Sequence, residues 1–276
     1  MFATIGRWVF AVPLGLHHCD GRNGAVMSQS TDTIVWISGA TSGIGAALAR
    51  QCPYDPVEII NLSRRAHPDL ASVLIDLADP TTWGRATDSF TARLADFTGG
   101  RAIFVHNAFH HHRAFAGEGD PCELHAEVMA NVAAPLVLGD AFLRAARTAT
   151  ERGVDVGLVQ MSSGAARLAY PALSIYGAGK AAMEQWVRTA RAERAHRGVG
   201  PWIIAVRPGF VDTPAAHKDA ALSADDFPAA PAVAAALATR EGVLDADTVA
   251  RHIWAALPPT DDRSVLFFGE AVGTGS

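Results

Sequence analysis

Short runs of β-branched and aromatic residues recur along the chain from residue 34 onward. Each run is apolar almost throughout and lacks the strict alternation of polar and apolar positions that a strand with one solvated face shows. Continuous apolar runs of this kind are typical of strands that are buried on both faces of a parallel sheet. The pattern predicts strands over residues 34–37, 57–62, 73–75, 102–105, 156–161, 202–206 and 265–268.

Longer alanine-rich segments of helical character lie between these runs, the clearest of them at residues 80–97, 122–150 and 174–197. Strands that alternate with helices form right-handed crossovers and a parallel sheet with helices on both faces. The sequence shows no internal repeat and no linker between domains. It therefore predicts an α/β fold: a single doubly wound Rossmann-type domain over residues 31–276, with about seven parallel strands.

Two segments depart from this alternation. Residues 211–242 are rich in alanine and proline and poor in strand-forming residues, so we expect an inserted helical loop that acts as a substrate lid. Residues 1–30 contain an apolar run at 8–16 that Pro13 interrupts, and this run is about half as long as a membrane span. We expect residues 1–30 to be a dispensable extension from a start upstream of Met27, or else an arm that docks partly on the domain.

Composition and charge narrow the function classes. Hydrophobic residues make up 49% of the 276 residues and charged residues 18%, which suits a packed globular protein and excludes a disordered or fibrous one. The net charge is −5, from 23 Lys and Arg against 28 Asp and Glu, so nucleic acids and anionic membranes are not expected partners. Cys19, Cys52 and Cys122 form no CxxC pair, which argues against a disulfide framework or a zinc site and for reduced thiols in the cytoplasm.

A glycine-rich turn directly follows the first predicted strand, with the sequence SGATSGIG at residues 38–45 and a helix-forming stretch after it. Glycines let such a turn approach a pyrophosphate closely, and the N–H groups and macrodipole at the start of the helix favour its negative charge. A purely structural turn would also fit this motif. The candidate dinucleotide-binding residues are Gly39, Thr41, Ser42, Gly43, Ile44 and Gly45.

The end of the second predicted strand indicates which dinucleotide would bind. NAD-binding folds place an acidic residue there for the ribose 2′-hydroxyl, whereas an arginine accommodates a 2′-phosphate. Here the strand is followed by Ser63, Arg64 and Arg65, and a bidentate guanidinium suits a phosphate dianion. We therefore expect NADP(H) in preference to NAD(H). Asp76, after the third strand, could accept a hydrogen bond from the adenine amino group or serve only as a helix cap.

Ser163, Tyr176 and Lys180 carry the most specific chemical signal in the chain. Tyr176 and Lys180 are four residues apart and lie on one face of the predicted helix. A cation beside a phenol favours phenolate, so we predict a Tyr176 pKa below its ordinary value of about 10 and an acid–base role near neutral pH. Ser163 follows the fifth strand, and ligands of open α/β sheets bind at the carboxyl ends of strands.

These motifs together resemble the short-chain dehydrogenase/reductase family, and within it the compact bacterial type similar to benzil and sepiapterin reductases. The resemblance covers residues 34 to about 268, and several independent motifs occur in the family's order at the ends of the predicted strands. The matching positions are residues 38–45, Asp76, Leu77, His106, Asn107, Ala108, Asn131, Ser163, residues 176–180 and residues 208–214.

The resemblance implies a role for each catalytic position. Tyr176 would protonate the carbonyl oxygen while hydride from the cofactor arrives at the carbon, and Ser163 would hydrogen-bond and orient that oxygen. Lys180 would lower the pKa of Tyr176 and hydrogen-bond the nicotinamide ribose. Asn131 would hold a water molecule that links Lys180 to solvent as a proton relay.

The resemblance also implies further cofactor contacts and an assembly. Asn107 and Ala108 would line the adenosine ribose, and Val211 and Thr213 would hold the nicotinamide carboxamide. The other positions that match cofactor-binding motifs are Asp76, Leu77, Tyr176, Lys180, Pro208 and Gly209. The family commonly forms dimers or tetramers, so we expect a homodimer or homotetramer, with Trp186 either at a subunit contact or in the core.

The chain departs from the family pattern after Ala108. Phe109 stands where the family usually has glycine, so we expect a side chain near the cofactor cleft. Residues 110–112 are three histidines without an accompanying cluster of carboxylates, so no metal is expected. One of them faces the substrate, or all lie in a solvated loop. A solvated helix face or a basic binding stripe would explain the arginines that recur every three residues, at Arg188, Arg191, Arg194 and Arg197.

Two classes of function remain. The first is an NADPH-dependent oxidoreductase that reduces a small ketone, diketone or pterin-like carbonyl, and the apolar composition of residues 211–242 favours an apolar substrate. The second is a non-catalytic NADP(H)-binding sensor or scaffold, against which the complete set of catalytic positions argues. A nucleotide-sugar dehydratase or epimerase would be expected in a longer chain with a larger substrate domain.

Overall fold

The structure is a computed structural model that describes residues 32–268; the predicted extension, with Cys19 and Met27, lies outside these residues. Its sheet consists of β1 (Thr33–Ser38), β2 (Val57–Ser63), β3 (Ala71–Leu74), β4 (Arg101–His106), β5 (Asp155–Met161), β6 (Trp202–Arg207) and β7 (Val265–Phe267). All neighbouring strands are parallel, in the order β3-β2-β1-β4-β5-β6-β7. The predicted seven-stranded parallel sheet is confirmed.

Helices occupy every connection between these strands except the one from β2 to β3, and they cover both faces of the sheet. They are α1 (Gly43–Arg50), α2 (Gly84–Leu94), α3 (Pro121–Val128), α4 (Ala134–Ala145), α5 (Arg147–Glu151), α6 (Ser174–Arg197), α7 (Pro214–Ala220), α8 (Ala230–Thr239) and α9 (Ala246–Ala255). Helices α2, α4 and α6 pack on one face, and α1 and α9 pack on the other. This arrangement confirms the doubly wound Rossmann-type fold.

Strand β1 shows why the predicted runs are apolar throughout. Ile34 and Trp36 lie in the core on one face of the sheet, and Val35 and Ile37 lie in the core on the other. The Trp36 ring packs edge-on against Phe90 of α2, with the ring centroids 5.4 Å apart. Full burial of such side chains stabilises the fold by roughly 1.5–3 kcal/mol each, so both faces of the strand need apolar residues.

The helical segment predicted at residues 122–150 is not one regular helix. Helix α3 begins at Pro121, where the Asp120 carboxylate accepts hydrogen bonds from two backbone N–H groups at 2.9 and 3.1 Å. A π-helical turn, Met129–Ala133, separates α3 from α4. The alanine-rich pattern does not reveal this wider turn, a feature that often marks functional sites.

The helical run Pro121–Ala145 is long and apolar enough, by length and composition alone, to cross a membrane, with a mean hydropathy of 1.4. Half of its most apolar window is nevertheless buried inside the domain. Leu138 and Phe142 of α4 lie in the core on one face of the sheet, and Phe142 packs against Trp36 and Phe104. The apolar character of this run is that of a core helix in an α/β domain.

The segment 211–242, for which the sequence predicts a helical lid, contains α7 and α8, which pack against each other. A small apolar cluster holds this segment in place. Phe227 and Ala230 are buried in it together with Ala172, and Phe115 packs against them. Ala172 lies in the loop before α6 and Phe115 in the loop before α3, so the segment rests on the two loops that follow β4 and β5.

The arginines near the end of α6 anchor the chain beyond the helix. Arg191 donates a hydrogen bond to the carbonyl oxygen of Ile203 at 2.9 Å, and Arg194 donates to that of Gly200 at 2.7 Å. These two arginines therefore fix the connection from α6 to β6. Trp186, on the same helix, is half-buried and packs against the core.

Candidate active site

A cleft lies where the strand order reverses. The chain runs outward from β1 through β2 and β3 and then places β4 on the other side of β1. Ligands of open α/β sheets bind at this switch point, outside the carboxyl ends of the strands. The cleft has a volume of about 350 Å³, and its lining includes the predicted cofactor residues Gly39, Thr41, Ser42, Ser63, Arg64, Arg65, Asp76, Leu77 and Ala108.

The glycine turn packs too closely to admit side chains. Gly39 has a left-handed φ of +75°, and a Cβ atom on it would lie 2.9 Å from the Cβ of Ala108. A Cβ atom on Gly45, in the first turn of α1, would lie 2.2 Å from the carbonyl oxygen of Gly39. Ser42, the N-cap of α1, lines the cleft, and its side chain caps no backbone N–H group. The start of α1 therefore keeps N–H groups available for an anion.

Ser38 and Asn107 lock the glycine turn to the end of β4. The Ser38 hydroxyl accepts hydrogen bonds from the N–H groups of Asn107 and Ala108 at 2.8 and 3.0 Å. Asn107 Nδ2 in turn donates to the carbonyl oxygen of Ser38 at 3.1 Å. The Asn107 side-chain amide thus closes the turn, and its contact with an adenosine ribose stays a prediction. Ala108 lines the cleft.

Arg64 and Arg65 are exposed at the edge of the cleft, directly after β2. The Ser63 hydroxyl donates to the carbonyl oxygen of Arg65 at 2.6 Å and so shapes their loop. Asn61, which the sequence analysis did not single out, is buried beneath them. Its Oδ1 accepts from the N–H of Ala40 at 3.1 Å and its Nδ2 donates to the Arg65 carbonyl oxygen at 3.0 Å. A lone amide in a buried strand is the signal that would have identified this link.

Asp76 and Leu77 line the cleft just after β3. One carboxylate oxygen of Asp76 accepts a hydrogen bond from the N–H of Ala78 at 2.9 Å, so Asp76 closes a turn. The neighbouring 3₁₀ turn, Pro80–Thr82, has Asp79 as its N-cap. The helix-cap role considered for Asp76 is therefore wrong, because Asp79 is the cap, and the contact of Asp76 with an adenine stays a prediction.

Ser163, Tyr176 and Lys180 come together beyond the carboxyl end of β5. Ser163 is the N-cap of the 3₁₀ turn Gly164–Ala166, and Tyr176 lies in the first turn of α6. Lys180 Nζ lies 5.5 Å from the centre of the Tyr176 ring and donates a hydrogen bond to the carbonyl oxygen of Met161 at 2.6 Å. The end of β5 and the start of α6 therefore place a hydroxyl, a phenol and an ammonium group in one region.

Two glycines let α6 approach the neighbouring backbone closely around Tyr176. A Cβ atom on Gly177 would lie 2.9 Å from the carbonyl oxygen of Ala165, in the turn that Ser163 begins. A Cβ atom on Gly179 would lie 2.6 Å from the carbonyl oxygen of Asn131, in the π turn. The helix therefore rests directly on the two segments that carry Ser163 and Asn131, the other predicted catalytic positions.

The pKa of Tyr176 is raised, so the predicted lowering by Lys180 is wrong for this geometry. Burial is the largest cause, and the Asp219 carboxylate adds to it, whereas the Ser163 hydroxyl and the Arg113 guanidinium oppose it. Lys180 does not offset burial, because its amine has a pKa of about 8 and is already neutral at the pH where Tyr176 loses its proton. Burial also lowers the pKa of Lys180 to about 8, against the opposing charge of a nearby glutamate.

Asn131 lies in the π turn and binds the loop after β4. Its Oδ1 accepts from the N–H of His110 at 2.7 Å, and its Nδ2 donates to the His110 carbonyl oxygen at 2.9 Å. Both ends of the side-chain amide are therefore engaged with the loop. The atom of Asn131 that faces α6, one residue before Lys180, is its main-chain carbonyl oxygen. A water molecule shared with Lys180 would bind to this main-chain oxygen.

The chain after β6 returns to the glycine turn. Gly209 has a left-handed φ of +79°, and a Cβ atom on it would lie 2.2 Å from the carbonyl oxygen of Phe268. Val211 is buried in the core, so its side chain does not face the cleft and only its backbone could meet a carboxamide. Thr213 caps α7, and its Cγ2 would lie 3.5 Å from a Cβ atom on Gly43. Thr213 is therefore adjacent to the start of α1.

Phe109 and the first two histidines after it face the site. Phe109 lines the cleft, and the centroid of its ring lies 5.5 Å from that of the Tyr176 ring. His110 Nε2 lies 2.8 Å from a carboxylate oxygen of Glu123, and His111 Nε2 lies 2.8 Å from one of Asp219. Because both histidines are half-buried and paired, they do not belong to a freely solvated loop.

A buried ion pair beneath the site was not expected from the sequence. The Glu184 side chain is 3% exposed and accepts hydrogen bonds from Ser162 Oγ at 2.6 Å and from Arg207 at 2.7 and 2.5 Å. Ser162 directly follows β5 and Arg207 ends β6, so Glu184 ties α6 to both strands. Its signal in the sequence is an acidic residue one helical turn after Lys180, on the face that carries the site.

Comparisons with known proteins agree with this description. The short chain dehydrogenase family model matches residues 33–222. Benzil reductase ((S)-benzoin forming) of Bacillus subtilis is 28% identical over 182 residues, which cover 64% of this chain and 74% of that protein. A short-chain dehydrogenase from Streptomyces avermitilis has a similar crystal structure, with a TM-score of 0.66 and 25% identity over 86% of this chain and 88% of that one.

A short-chain dehydrogenase from Burkholderia cenocepacia, crystallised in complex with NADP, shares the fold with a TM-score of 0.63 and 20% identity over 86% of this chain and 88% of that one. The family match begins at the first residue of β1 and ends beyond α7, so it includes the glycine turn and the region of Ser163, Tyr176 and Lys180. The chain therefore belongs to the short-chain dehydrogenase family of oxidoreductases.

Proposed function

We propose that the protein uses NADPH to reduce a small apolar ketone or diketone, with Tyr176 as the general acid. One observation carries the proposal: the chain brings Ser163, Tyr176 and Lys180 together near a cleft whose lining includes the glycine turn, Arg64 and Arg65. A non-catalytic sensor would need the cleft and the arginines but not the group around Tyr176.

The residues around the cleft fit a dinucleotide with a 2′-phosphate. Gly39 and Gly45 let the turn pack tightly on Ala108 and on itself, and the start of α1 has uncapped N–H groups that would bind a pyrophosphate. Arg64 and Arg65 offer exposed guanidinium groups at the end of β2, where an NAD-binding fold has a carboxylate. When bound there, the nicotinamide would supply hydride to the carbonyl carbon.

Tyr176 and Ser163 would act on the carbonyl oxygen. The raised pKa of Tyr176 keeps its phenol protonated at neutral pH, which is the form that a proton donor needs. The Ser163 hydroxyl faces the phenol and favours its ionised form, so it would share the negative charge that develops on the oxygen. Together they would bind the carbonyl oxygen and deliver a proton to it as the carbon is reduced.

Lys180 would restore the proton on Tyr176. With a pKa lowered to about 8, its amine gains and loses a proton close to neutral pH. The Asn131 carbonyl oxygen, which faces α6 beside Lys180, would bind a water molecule that carries the proton onward to solvent. This arrangement keeps the proton route separate from the side of the cleft that holds the cofactor phosphates.

Aromatic side chains support an apolar, ring-bearing substrate. Phe109 lies 5.5 Å from the Tyr176 ring, and Phe227 of the lid segment is buried nearby with Phe115 packed against it. Phe109 and Tyr176 pack on each other at this spacing, and the ring surface that they leave open would attract an aromatic substrate by the same edge-on or offset packing. The Bacillus subtilis relative is named for reducing benzil to (S)-benzoin, which supports a diketone as the first compound to try.

A homodimer or homotetramer in the cytoplasm completes the proposal. Val128 of α3 and Val137 of α4 leave 37% and 49% of their surfaces exposed, and both lie on a helix surface that a second subunit could cover. Size-exclusion chromatography with light scattering tests the assembly, and a monomer at micromolar concentration would contradict it.

The first test of the function is a fluorescence titration that measures the binding of NADPH and of NADH to the purified protein. The next step is oxidation of bound NADPH by a panel of ketones, diketones and pterins. We expect tighter binding of NADPH and its consumption by one class of carbonyl. Tight binding without consumption across the panel would favour the sensor, and no binding of either nucleotide would refute the cofactor assignment.

A further inference from the structure

Arg113 is buried between the catalytic tyrosine and the lid segment. Its side chain is 7% exposed. The guanidinium carbon lies 5.7 Å from the centre of the Tyr176 ring and 5.5 Å from the centre of the Phe227 ring. A guanidinium group over aromatic faces is attracted by their electron-rich centres, so it holds both rings in place. Arg113 therefore links a residue of α6 with a residue of the segment 211–242.

Asp219 of α7 fixes the orientation of this guanidinium. Arg113 Nη2 donates a hydrogen bond to Asp219 Oδ2 at 2.8 Å, and Nε lies 2.8 Å from Oδ1 without good alignment. Arg113 Nη1 donates to the carbonyl oxygen of His112 at 2.7 Å. The Asp219 side chain is 15% exposed and also lies 2.8 Å from His111 Nε2. The loop after β4 and α7 are thus joined by a buried ion pair directly beside the site.

We propose that Arg113 is a positioning residue for Tyr176: it holds the phenol ring and eases release of its proton, while Asp219 holds Arg113 and couples this effect to the lid segment. The inference rests on the proposed role of Tyr176 as the proton donor. Arg113 acts through Tyr176 and is not assigned a contact with the cofactor. A structural brace alone would hold α7 in place but would leave the proton affinity of Tyr176 unchanged.

The charges around Tyr176 decide the direction of each effect. Lys180 faces it from α6, Arg113 and His111 lie in the loop after β4, and Asp219 lies on α7. The pKa of Lys180 is about 8, so Lys180 is neutral when Tyr176 ionises. Arg113 is therefore the cation that opposes burial in setting the Tyr176 pKa, and Asp219 raises that pKa. Loss of the Arg113 charge should raise it further, and loss of the Asp219 charge should lower it.

The pH dependence of alcohol oxidation tests this, because Tyr176 acts as the base in that direction and the rate rises as it loses its proton. For Arg113→Met we expect the midpoint of this rise to move to higher pH by on the order of one unit. Arg113→Lys keeps the charge and should keep the midpoint near that of the wild type. Arg240→Met, which removes an exposed ion pair of the same segment with Asp212, serves as the control. An Arg113→Met protein with an unchanged midpoint and only a lower kcat would overturn the proposal.

A second measurement separates this inference from the proposed function. The chain has three tyrosines, so the tyrosinate absorbance of a protein minus that of its Tyr176→Phe version reports Tyr176 without any turnover. A shifted tyrosinate midpoint in Arg113→Met, in a protein that reduces no carbonyl, would support the inference and contradict the function. If Arg113→Met turned over normally and shifted neither the midpoint of the rate nor that of the tyrosinate absorbance, the function would be supported and the inference refuted.

Asp219→Asn keeps the inference testable if Arg113→Met does not fold, which near-ultraviolet circular dichroism would reveal. This variant retains an oxygen acceptor for Arg113 but removes the negative charge. We expect the Tyr176 midpoint to move to lower pH, opposite to the Arg113→Met shift. A midpoint equal to that of the wild type would refute the electrostatic coupling between α7 and Tyr176.

Discussion

Tyr176 and Lys180 lie on one turn of α6, and burial changes the proton affinity of both in the direction of their neutral forms. The pKa of Tyr176 is raised and that of Lys180 is lowered to about 8. Burial in a low-dielectric site disfavours each charged form, whatever its sign. At neutral pH the Tyr176 phenol therefore carries its proton, and the Lys180 amine beside it exchanges protons readily. Both properties suit the reduction of a carbonyl.

Replacing Tyr176 by phenylalanine removes the proton donor and keeps the ring. We expect Tyr176→Phe to abolish carbonyl reduction while NADPH binding stays within a few-fold of the wild type. The packing of the residue 176 ring on Phe109 does not involve the hydroxyl group, so the substitution preserves it. Steady-state kinetics and fluorescence titration measure the two effects. Tyr54→Phe is the matched control, since Tyr54 packs on Trp254 at the opposite end of the domain's core. Retained turnover in Tyr176→Phe would refute the mechanism.

Arg64 offers a test of cofactor preference. Arg64→Asp should weaken the binding of NADPH by roughly 10- to 100-fold, which corresponds to the loss of a charge-assisted hydrogen bond. It should weaken the binding of NADH much less. Arg197→Asp, an equal change of charge on the exposed end of α6, controls for the overall field. Equilibrium titration of both nucleotides reports the ratio. An unchanged preference for NADPH would transfer the assignment to Ser63 and Arg65.

At the scale of elements, Glu184 joins α6 to the ends of β5 and β6. A buried ion pair contributes little net stability when intact, but removal of one partner leaves a buried charge unpaired. Glu184→Ala strands Arg207, whose side chain is 13% exposed, and should reduce the free energy of unfolding by roughly 3–5 kcal/mol. Glu184→Gln, which keeps the shape and an acceptor oxygen, should cost less.

Urea denaturation of these variants measures the effect of Glu184. Asp140→Ala is the control, because Asp140 pairs with Arg144 on the exposed face of α4 and such pairs contribute about 0–1 kcal/mol. If Glu184→Ala and Asp140→Ala lowered the free energy of unfolding equally, the buried contacts of Glu184 with β5 and β6 would contribute no more to stability than an exposed ion pair.

How far the sequence predicts the elements depends on the range of the interactions involved. The strands, the glycine turn and the spacing of Tyr176 and Lys180 are local patterns, so they could be predicted. The pairs Glu184–Arg207 and Arg113–Asp219 join residues that are distant along the chain, so they required the fold. The sign of the Tyr176 pKa shift is set by burial of the phenol, which the spacing of Tyr176 and Lys180 does not specify.

At the scale of the whole molecule, His106 makes folding sensitive to acid. It is 2% exposed at the end of β4, and its Nε2 has no hydrogen-bond partner in the described part of the chain. Burial, and then the charge of Lys180, lower its pKa from 6.5 to about 3. Below pH 6.5 the unfolded chain takes up a proton that the folded chain refuses, so stability is lost as the pH falls toward 3.

Replacing His106 by asparagine should remove this loss. Between pH 7 and about pH 5 the wild type should lose roughly 2 kcal/mol more of its free energy of unfolding than His106→Asn does. Because the comparison is between two pH values for each protein, a constant packing cost of the substitution cancels. His196→Asn, at an exposed position of α6, should behave as the wild type. Parallel pH profiles for His106→Asn and the wild type would show that His106 does not cause the sensitivity.

The close backbone contacts of Gly39 and Gly45 also bear on how such a protein adapts. These contacts hold the cofactor side of the cleft, and they lie in the first part of the chain, together with Ala108. The residues that face Tyr176 from the other side lie later, in the loop after β4 and in residues 211–242, where alanines are frequent and many side chains are exposed. The two groups meet at Thr213, which lies against Gly43 of the turn, and at Ala108, which directly precedes Phe109. Laboratory evolution aimed at new substrates should therefore vary residues 222–242, beyond α7, and leave Ala108 and Thr213 unchanged.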